Sequence, residues 1–351
     1  MRLKAPETEG TPRPHRHRRW GRMRIGYPCI NLSIGCTPAS GFRLAHYSER
    51  RLLSTVASNL SCLRKILVWN AERGLLFFRI SSDTVPFASH KVCDVRWWRV
   101  FGSELRELGD FIRKKCMRIS MHPDQFVLLN SPRPSVVRSS VAELVYHARL
   151  LDAMGLGEDA KVQIHAGGLY GDREGALRRF AEVHLGLPEE VRRRLAVEND
   201  DRLFGIQDVM ELHRRTGAPV VFDALHHETM ERRRGRDGEP RAALALATAT
   251  WTGADGPPMV DYSSQEPGAR PGAHARTLDA AHFSAFLRST VGMGYDLMLE
   301  IKDKERSAFR ALGLLGARRR NLPLRSTLST ALTRGASHPL LKNIKSTHDV
   351  M

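Results

Sequence analysis

The sequence predicts an α/β protein built as a single (β/α)8 TIM barrel. Three observations predict it: eight short apolar runs, helical segments between them, and metal- or phosphate-binding residues ending nearly every run. In order the runs are RIGYPCIN (24–31), LLFFRISSD (75–83), MRISMHPDQ (117–125) and KVQIHAGG (161–168), then LAVENDD (195–201), PVVFDALHH (219–227), PMVDYSSQ (258–265) and LMLEIKDK (297–304). Their apolar parts are 4–6 residues long and rich in Val, Ile, Leu or Phe, as for strands buried on both faces. An open doubly wound sheet would concentrate its site at one switch point. Here almost every strand end is armed, which favours a closed barrel with its site on the C-terminal rim.

The segments between the runs carry helical spacing. Residues 49–73 place Leu52, Leu53, Val56, Leu60, Leu63, Ile66 and Leu67 on one stripe, and Gly74 follows as a stop. Helices are also expected over 136–154, 175–184 and 206–215, the last ending at Gly217. Pro132 and Pro134 read as a rigid turn, and 232–241 as a basic loop. Trp97, Trp98 and Trp251 fall within helical patterns and are expected to pack.

Bulk properties set the outer limits. At 351 residues and 42% hydrophobic, one barrel of roughly 250 residues with tails fits. The expected division is a basic flexible extension (1–22), the barrel (23–306) and a basic tail (307–351) that begins as a helix and then frays. Of the formal charge of +17, residues 1–24 carry +6 and residues 302–351 carry +8, leaving +3 for the body between. Charge concentrated at the ends is weak support for nucleic-acid binding, although it favours a polyanionic partner over a cationic one. The five cysteines (Cys29, Cys36, Cys62, Cys93, Cys116) are odd in number and form no CxxC pair. They are expected as free thiols in a reducing compartment. No apolar run approaches the roughly 18 residues of a membrane span, and no signal-peptide core follows the basic N-terminus.

A rim of this kind would bring together His122, His165, Glu198, Asp223, His226, Asp261 and Glu300 from six strands. Any one of the fifteen histidines is more often structural, and a lone acid at a strand end is more often a helix cap. The joint pattern is what matters. Imidazoles and carboxylates together suit Zn, Mn or Fe. One carboxylate (Glu198, Asp223 or Glu300) bridging two ions would suit metal-assisted phosphodiester hydrolysis.

These residues sit in longer motifs: GYPCINLSIG (26–35), FRISSD (78–83) with PFASH (86–90), SMHPDQFVLLNSP (120–132), HAGGLYG (165–171) with ALRRF (176–180), LAVENDDRLF (195–204), VVFDALHH (220–227), SSQEPGARPGAHA (263–275) and LMLEIKDKE (297–305). In order and spacing this series resembles the UV damage endonucleases, whose barrel is similar to that of endonuclease IV. The resemblance spans nearly all the chain outside its ends. It implies a light-independent DNA repair enzyme that nicks immediately 5′ of a cyclobutane pyrimidine dimer or (6-4) photoproduct, leaving a 3′-hydroxyl and a 5′-phosphate. It further implies two or three divalent ions, manganese before zinc, cobalt or magnesium. The expected partner is UV-damaged double-stranded DNA, bound by a monomer in the cytoplasm at the nucleoid.

Position by position, the resemblance assigns His122, His165, Glu198, Asp223, His226, His274 and Glu300 as metal ligands. Glu198, His90 and Lys302 fall to catalysis. Gln125 and Phe126 are assigned to push into the duplex opposite the lesion, with Tyr27 and Asn31 approaching from the other side. A photodimer is poorly stacked, so flipping it out costs less than flipping intact bases. The sequence departs from the family pattern at three positions. Phe126 replaces a Tyr, keeping the stacking face and losing the hydroxyl. In the seventh strand, Met259-Val260-Asp261 stands where Lys-x-His is usual. Asp261 is expected to ligate as a harder donor that favours Mn over Zn, while Met259 cannot replace a lysine. Altered metal preference or a reduced rate is expected. The alternatives are a xylose-isomerase-type sugar isomerase or epimerase, to which the PDQF segment offers nothing, and a non-catalytic damage-binding protein.

Overall fold

The computed structural model describes residues 23–321, with side chains to residue 316. In order the elements are β1 (Ile25–Pro28), α1 (Glu49–Glu72), β2 (Phe77–Ile80), α2 (Trp97–Val100), α3 (Gly102–Lys114), β3 (Arg118–Met121), α4 (Pro134–Ala153), β4 (Lys161–His165), α5 (Arg173–Leu185) and α6 (Glu189–Arg192). There follow β5 (Leu195–Glu198), α7 (Ile206–Thr216), β6 (Val220–Asp223), α8 (Ala224–Arg233), α9 (Pro240–Ala249), β7 (Met259–Tyr262), α10 (Ala280–Ser289), β8 (Asp296–Leu299) and α11 (Glu305–Asn321). Every strand pairs in parallel with its sequence neighbour, and β8 closes on β1 through Ile25↔Leu297 and Gly26↔Met298. The expected barrel forms.

Period-2 alternation sorts each strand into two faces. Ile25, Tyr27, Phe78, Ile80, Val162, Ile164, Val220, Phe222, Val260, Tyr262, Leu297 and Leu299 are buried in the large cluster between sheet and helices. That cluster carries most of the hydrophobic stabilisation, at about 1.5–3 kcal/mol per fully buried large side chain. The opposite residues fill the barrel in layers. At the N-terminal end, Arg24 pairs with Asp296 at 2.8 Å and Lys161 with Asp255, while the Arg118 guanidinium lies 5.7 Å from the Trp251 ring centre. Above them Phe77, Ala196, Val221, Met259 and Met298 form a dry apolar layer. Gly26 is required beside it, because a Cβ there would meet the Phe77 carbonyl oxygen at 2.0 Å. Polar residues of the next layer form the site.

Local chemistry sets the helix ends. The Ser48 hydroxyl accepts the Arg51 amide at the start of α1, and the Asp172 carboxylate accepts the Gly175 amide at the start of α5. Pro134 occupies the first turn of α4, so the expected 132–134 turn also opens the helix. Gly217 ends α7 with φ 75°. Trp97 and Trp251 pack in the interior, as expected.

The helix expected at the start of the basic tail forms: α11 starts at Glu305 and runs to Asn321, and Ala308 and Ala311 are buried in the main cluster. The expected flexible segments at 1–22 and beyond 321 lie outside the described residues. One expectation needs correction: the cysteines are not all free thiols. Cys36, in the loop after β1, is bonded to Cys62 of α1, and only Cys29, Cys93 and Cys116 remain free. Their 26-residue separation carries no spacing signature that would reveal the pair.

Reducing this crosslink should lower the unfolding free energy by about 3.5 kcal/mol, the chain-entropy value for a loop of this length. The check is a denaturant midpoint with and without reductant, and in Cys36→Ala. An unchanged midpoint would show that the bond contributes nothing.

Candidate metal centre

The polar layer is made by inward positions at the C-terminal ends of the strands. β4 supplies Gln163 and His165, β5 Glu198, β6 Asp223, β7 Asp261 and β2 Arg79, while His122 and Glu300 directly follow β3 and β8. Three groups of potential ligand atoms lie within 4.8 Å of one another: His122, His165 and Glu198; Glu198, Asp223 and His226; Asp223, Asp261 and Glu300. Glu198 belongs to the first two. Its Oε2 is 3.2 Å from His122 Nε2 and 4.0 Å from His165 Nε2, and its Oε1 is 3.2 Å from His226 Nδ1. The imidazoles follow one another around the rim, with ring centres 5.2 Å apart for His122–His165, 5.5 Å for His165–His226 and 6.0 Å for His226–His274.

The backbone orients these groups. His122 Nδ1 faces the Pro123 carbonyl at 2.9 Å and His274 Nδ1 faces that of Glu300 at 2.7 Å, leaving each Nε2 for the centre. Asn199 fixes the β5–β6 junction by donating to the Asp223 carbonyl and accepting its amide, both at 3.0 Å. Asp223 has two functions. Its Oδ1 caps α8 by accepting the His226 amide at 2.6 Å, and its Oδ2 is buried with no hydrogen-bond partner. His165 Nδ1 is likewise buried without a hydrogen-bond partner, and Glu198 Oε1 has only the His226 imidazole, 3.2 Å away. Unpartnered acceptors of this kind are costly unless a cation meets them. The donor set therefore fits divalent metal ions.

The electrostatics agree. Burial would raise the Glu198 pKa, but His165, His122 and His226 hold it well below the usual carboxylate range. Burial would lower that of His226, yet Asp223 and Glu198 hold its imidazolium well above the usual histidine range. Asp223 is pushed up to about 6 by burial, with Glu198 and Glu300 adding to the rise. Glu300 resists burial and lies at about 2, held down by Arg79 and His274. Burial lowers His165.

The other expected site residues divide. Asp261 lies fully inside, but its neighbours are Arg79, with Nη2 2.8 Å from both carboxylate oxygens, and Gln163 at 2.6 Å. Lys302 and His90 sit on loops after β8 and β2, both exposed, and His90 Nδ1 accepts the Val92 amide. Gln125 and Phe126 form the tip of a turn closed by the Val127 amide on the Asp124 carbonyl, with Phe126 75% exposed. Tyr27 and Asn31 are not presented to any surface. Tyr27 is fully buried on the helix-facing side of β1, its hydroxyl donating to Asn70 at 2.6 Å and accepting from Asn31 at 2.8 Å. Strand parity turns Tyr27 toward the helices, and both side chains are buried in this structure.

Arg79, Gln163 and Asn199 are missing from the expected set. Parity could have found the first two, since Gln163 shares a face with His165, and an arginine inside the apolar run FFRI faces the barrel interior.

Fold and donor set together define a (β/α)8 barrel with a rim of carboxylates and imidazoles suited to more than one cation. The UV-endonuclease UvdE family model matches residues 23–323, and the chain belongs to that family. It is 31% identical over 294 residues to a UV DNA damage endonuclease of Clostridium perfringens, covering 84% of this chain and 71% of that protein. A crystal structure described as SacUVDE is 45% identical with a TM-score of 0.80, covering 85% of this chain and 99% of that one. Endonuclease IV of Thermus thermophilus, 15% identical with a TM-score of 0.50 over 85% of this chain and all of its own, shares the fold alone.

Ion binding at Glu198, Asp223 and His226 must displace protons. Above about pH 6 one proton should leave with each ion, from His226, and below it a second, from Asp223. Affinity should therefore rise with pH, more steeply on the acid side. Calorimetry in buffers of different ionisation enthalpy counts the protons, and a pH-independent affinity would contradict the assignment.

Proposed function

We propose that this chain is a metal-dependent endodeoxyribonuclease of DNA repair. It acts on UV-damaged double-stranded DNA and cleaves immediately 5′ of cyclobutane pyrimidine dimers and (6-4) photoproducts, leaving a 3′-hydroxyl and a 5′-phosphate. One observation supports this above others: in a chain of the UvdE family, Glu198 joins two imidazole–carboxylate groups on one barrel rim. The exposed Gln125–Phe126 tip begins three residues after His122. His122, His165, Glu198, Asp223 and His226 would hold the ions, with His274 and Glu300 beside them. When bound, divalent ions supply Lewis acidity at a phosphodiester. Manganese is the proposed metal, because Glu198, Asp223 and Glu300 supply hard carboxylate oxygens that suit it.

The chain's own residues then do the remaining work. Glu198 bridges the two ligand groups and fixes their spacing. The backbone contacts of His122 and His274 set their ring tautomers, so the acceptor nitrogens are ready before substrate arrives. The dry layer of Phe77, Val221, Met259 and Met298 closes the barrel beneath the site and excludes water from that side. Lys302 and His90, exposed on rim loops, are proposed to meet the scissile phosphate. Phe126 offers a stacking face to fill the gap left by extruded bases, and Gln125 offers an amide beside it. A monomer working on chromosomal DNA in the cytoplasm fits this substrate.

The test is cleavage of a duplex carrying one site-specific dimer, with analysis of the product ends, under Mn, Mg, Zn and Co. Glu198→Gln should lose more than about 100-fold in rate while keeping its far-UV spectrum. Undiminished cleavage by that variant, or none by the native chain under any of the four ions, contradicts the proposal. Phe126→Ala should weaken binding to the damaged duplex by about 1–3 kcal/mol, the worth of one base–aromatic stack, with metal content unchanged. Binding equal to native in a fluorescence anisotropy titration would remove Phe126 from recognition.

A further inference from the structure

The three ligand groups of the rim are not alike. In the two that share Glu198, the buried acceptor Asp223 Oδ2 has no hydrogen-bond partner, and Glu198 Oε1 meets only the His226 imidazole at 3.2 Å, with no guanidinium in either group. The third group, Asp223, Asp261 and Glu300, already contains a cation. Arg79 enters it from β2 with its side chain only 3% exposed. Its Nη2 donates to both oxygens of Asp261 and to Gln163 Oε1, each at 2.8 Å, and its Nη1 donates to Glu300 Oε1. Gln163 Nε2 donates to Asp261 Oδ2 as well. Both Asp261 oxygens thus receive donors; burial and the neighbouring Glu300, Glu198 and Asp223 push its carboxyl up, and Arg79 is the group that opposes them.

We propose that the Arg79 guanidinium occupies the third cation position of this centre, so that the chain binds two divalent ions sharing Glu198, and Asp261 is the counter-ion of Arg79 rather than a metal ligand. This rests on the metal-centre proposal above and fixes its stoichiometry. A guanidinium is not deprotonated in proteins; burial opposes its charge here, while Asp261 and Glu300 support it. Arg79 is held at the end of a paired strand and has no exposed surface to withdraw to. An ion drawn to the oxygens of Asp261 and Glu300 would have to displace its hydrogen bonds and then lie against a like charge. Glu300 remains available only through Oε2, which lies 3.5 Å from His274 Nδ1. The seventh-strand departure acquires a meaning: a carboxylate at 261 pairs with a guanidinium where an imidazole would not.

The experiment counts metal in the full-length chain. Protein stripped with chelator, reloaded with manganese chloride and desalted is measured by mass spectrometry for ions per chain, alongside Asp261→Asn and Arg79→Met. The expected counts are two for the native chain, two for Asp261→Asn with an affinity within about threefold of native, and three for Arg79→Met. Should Arg79→Met fail to fold, the other two proteins decide. Three ions in the native chain, one ion lost in Asp261→Asn, or two retained in folded Arg79→Met would each overturn the inference while leaving the metal centre standing. No manganese bound by the native chain would overturn both.

Discussion

Confinement of acidic side chains in a single layer of a closed barrel is the constraint on which everything else here depends. Glu198, Asp223 and Asp261 are almost fully buried and Glu300 nearly so. Removing a carboxylate from water costs several kcal/mol even after relaxation, and uncompensated neighbours add their mutual repulsion. Such a layer persists only if cations of fixed geometry are supplied to it. Arg79 compensates two of the four, imidazoles surround Glu198, and the buried acceptors left over point to ions from solution. The apolar layer below contributes by keeping water out and the effective dielectric low, which strengthens every one of these contacts.

The N-terminal end of the barrel is polar too, yet it has the opposite character. Arg24, Arg118 and Lys161 meet Asp296 and Asp255 there, and the ion pairs close on themselves. Burial draws Lys161 down while Asp255 holds its charge. With three cations to two acids this end has no surplus carboxylate to offer a further cation, whereas the C-terminal end holds more acids than resident guanidinium groups. The asymmetry separates a stabilising polar layer from a reactive one, in keeping with the usual division of labour between the two faces of this fold.

Legibility in the sequence followed the same physics. Strands were readable because parallel strands buried on both faces become unbroken apolar runs, and the rim ligands because polar residues ended those runs at the same relative place. For Tyr27 the motif fixes a position along β1 but not a face; counting in twos from Gly26, which faces Phe77, turns its side chain toward Asn70. The Cys36–Cys62 bond joins a loop to a helix, and its geometry comes from tertiary packing that no local pattern encodes. Arg79 escaped notice for a further reason. A lone arginine in a strand resembles a flaw in an apolar run until the interior is known to be acidic.

Asp261 shows why residue type alone underdetermines role. A carboxylate at the end of the seventh strand is chemically able to bind a divalent ion, and its place among other acids makes that assignment natural. Which cation it meets is decided by what the neighbouring strands deliver at the same height. β2 delivers a guanidinium whose two donor edges reach Asp261 and Glu300, and β4 delivers an amide that holds Asp261 and Glu198 together at 2.6 and 2.7 Å. Met259, one pleat lower, joins the apolar layer and needs no partner. The seventh strand thus exchanges a lysine-and-imidazole pattern for one that is neutral below and anionic above, and the anion is matched across the barrel by a charge no metal has to provide.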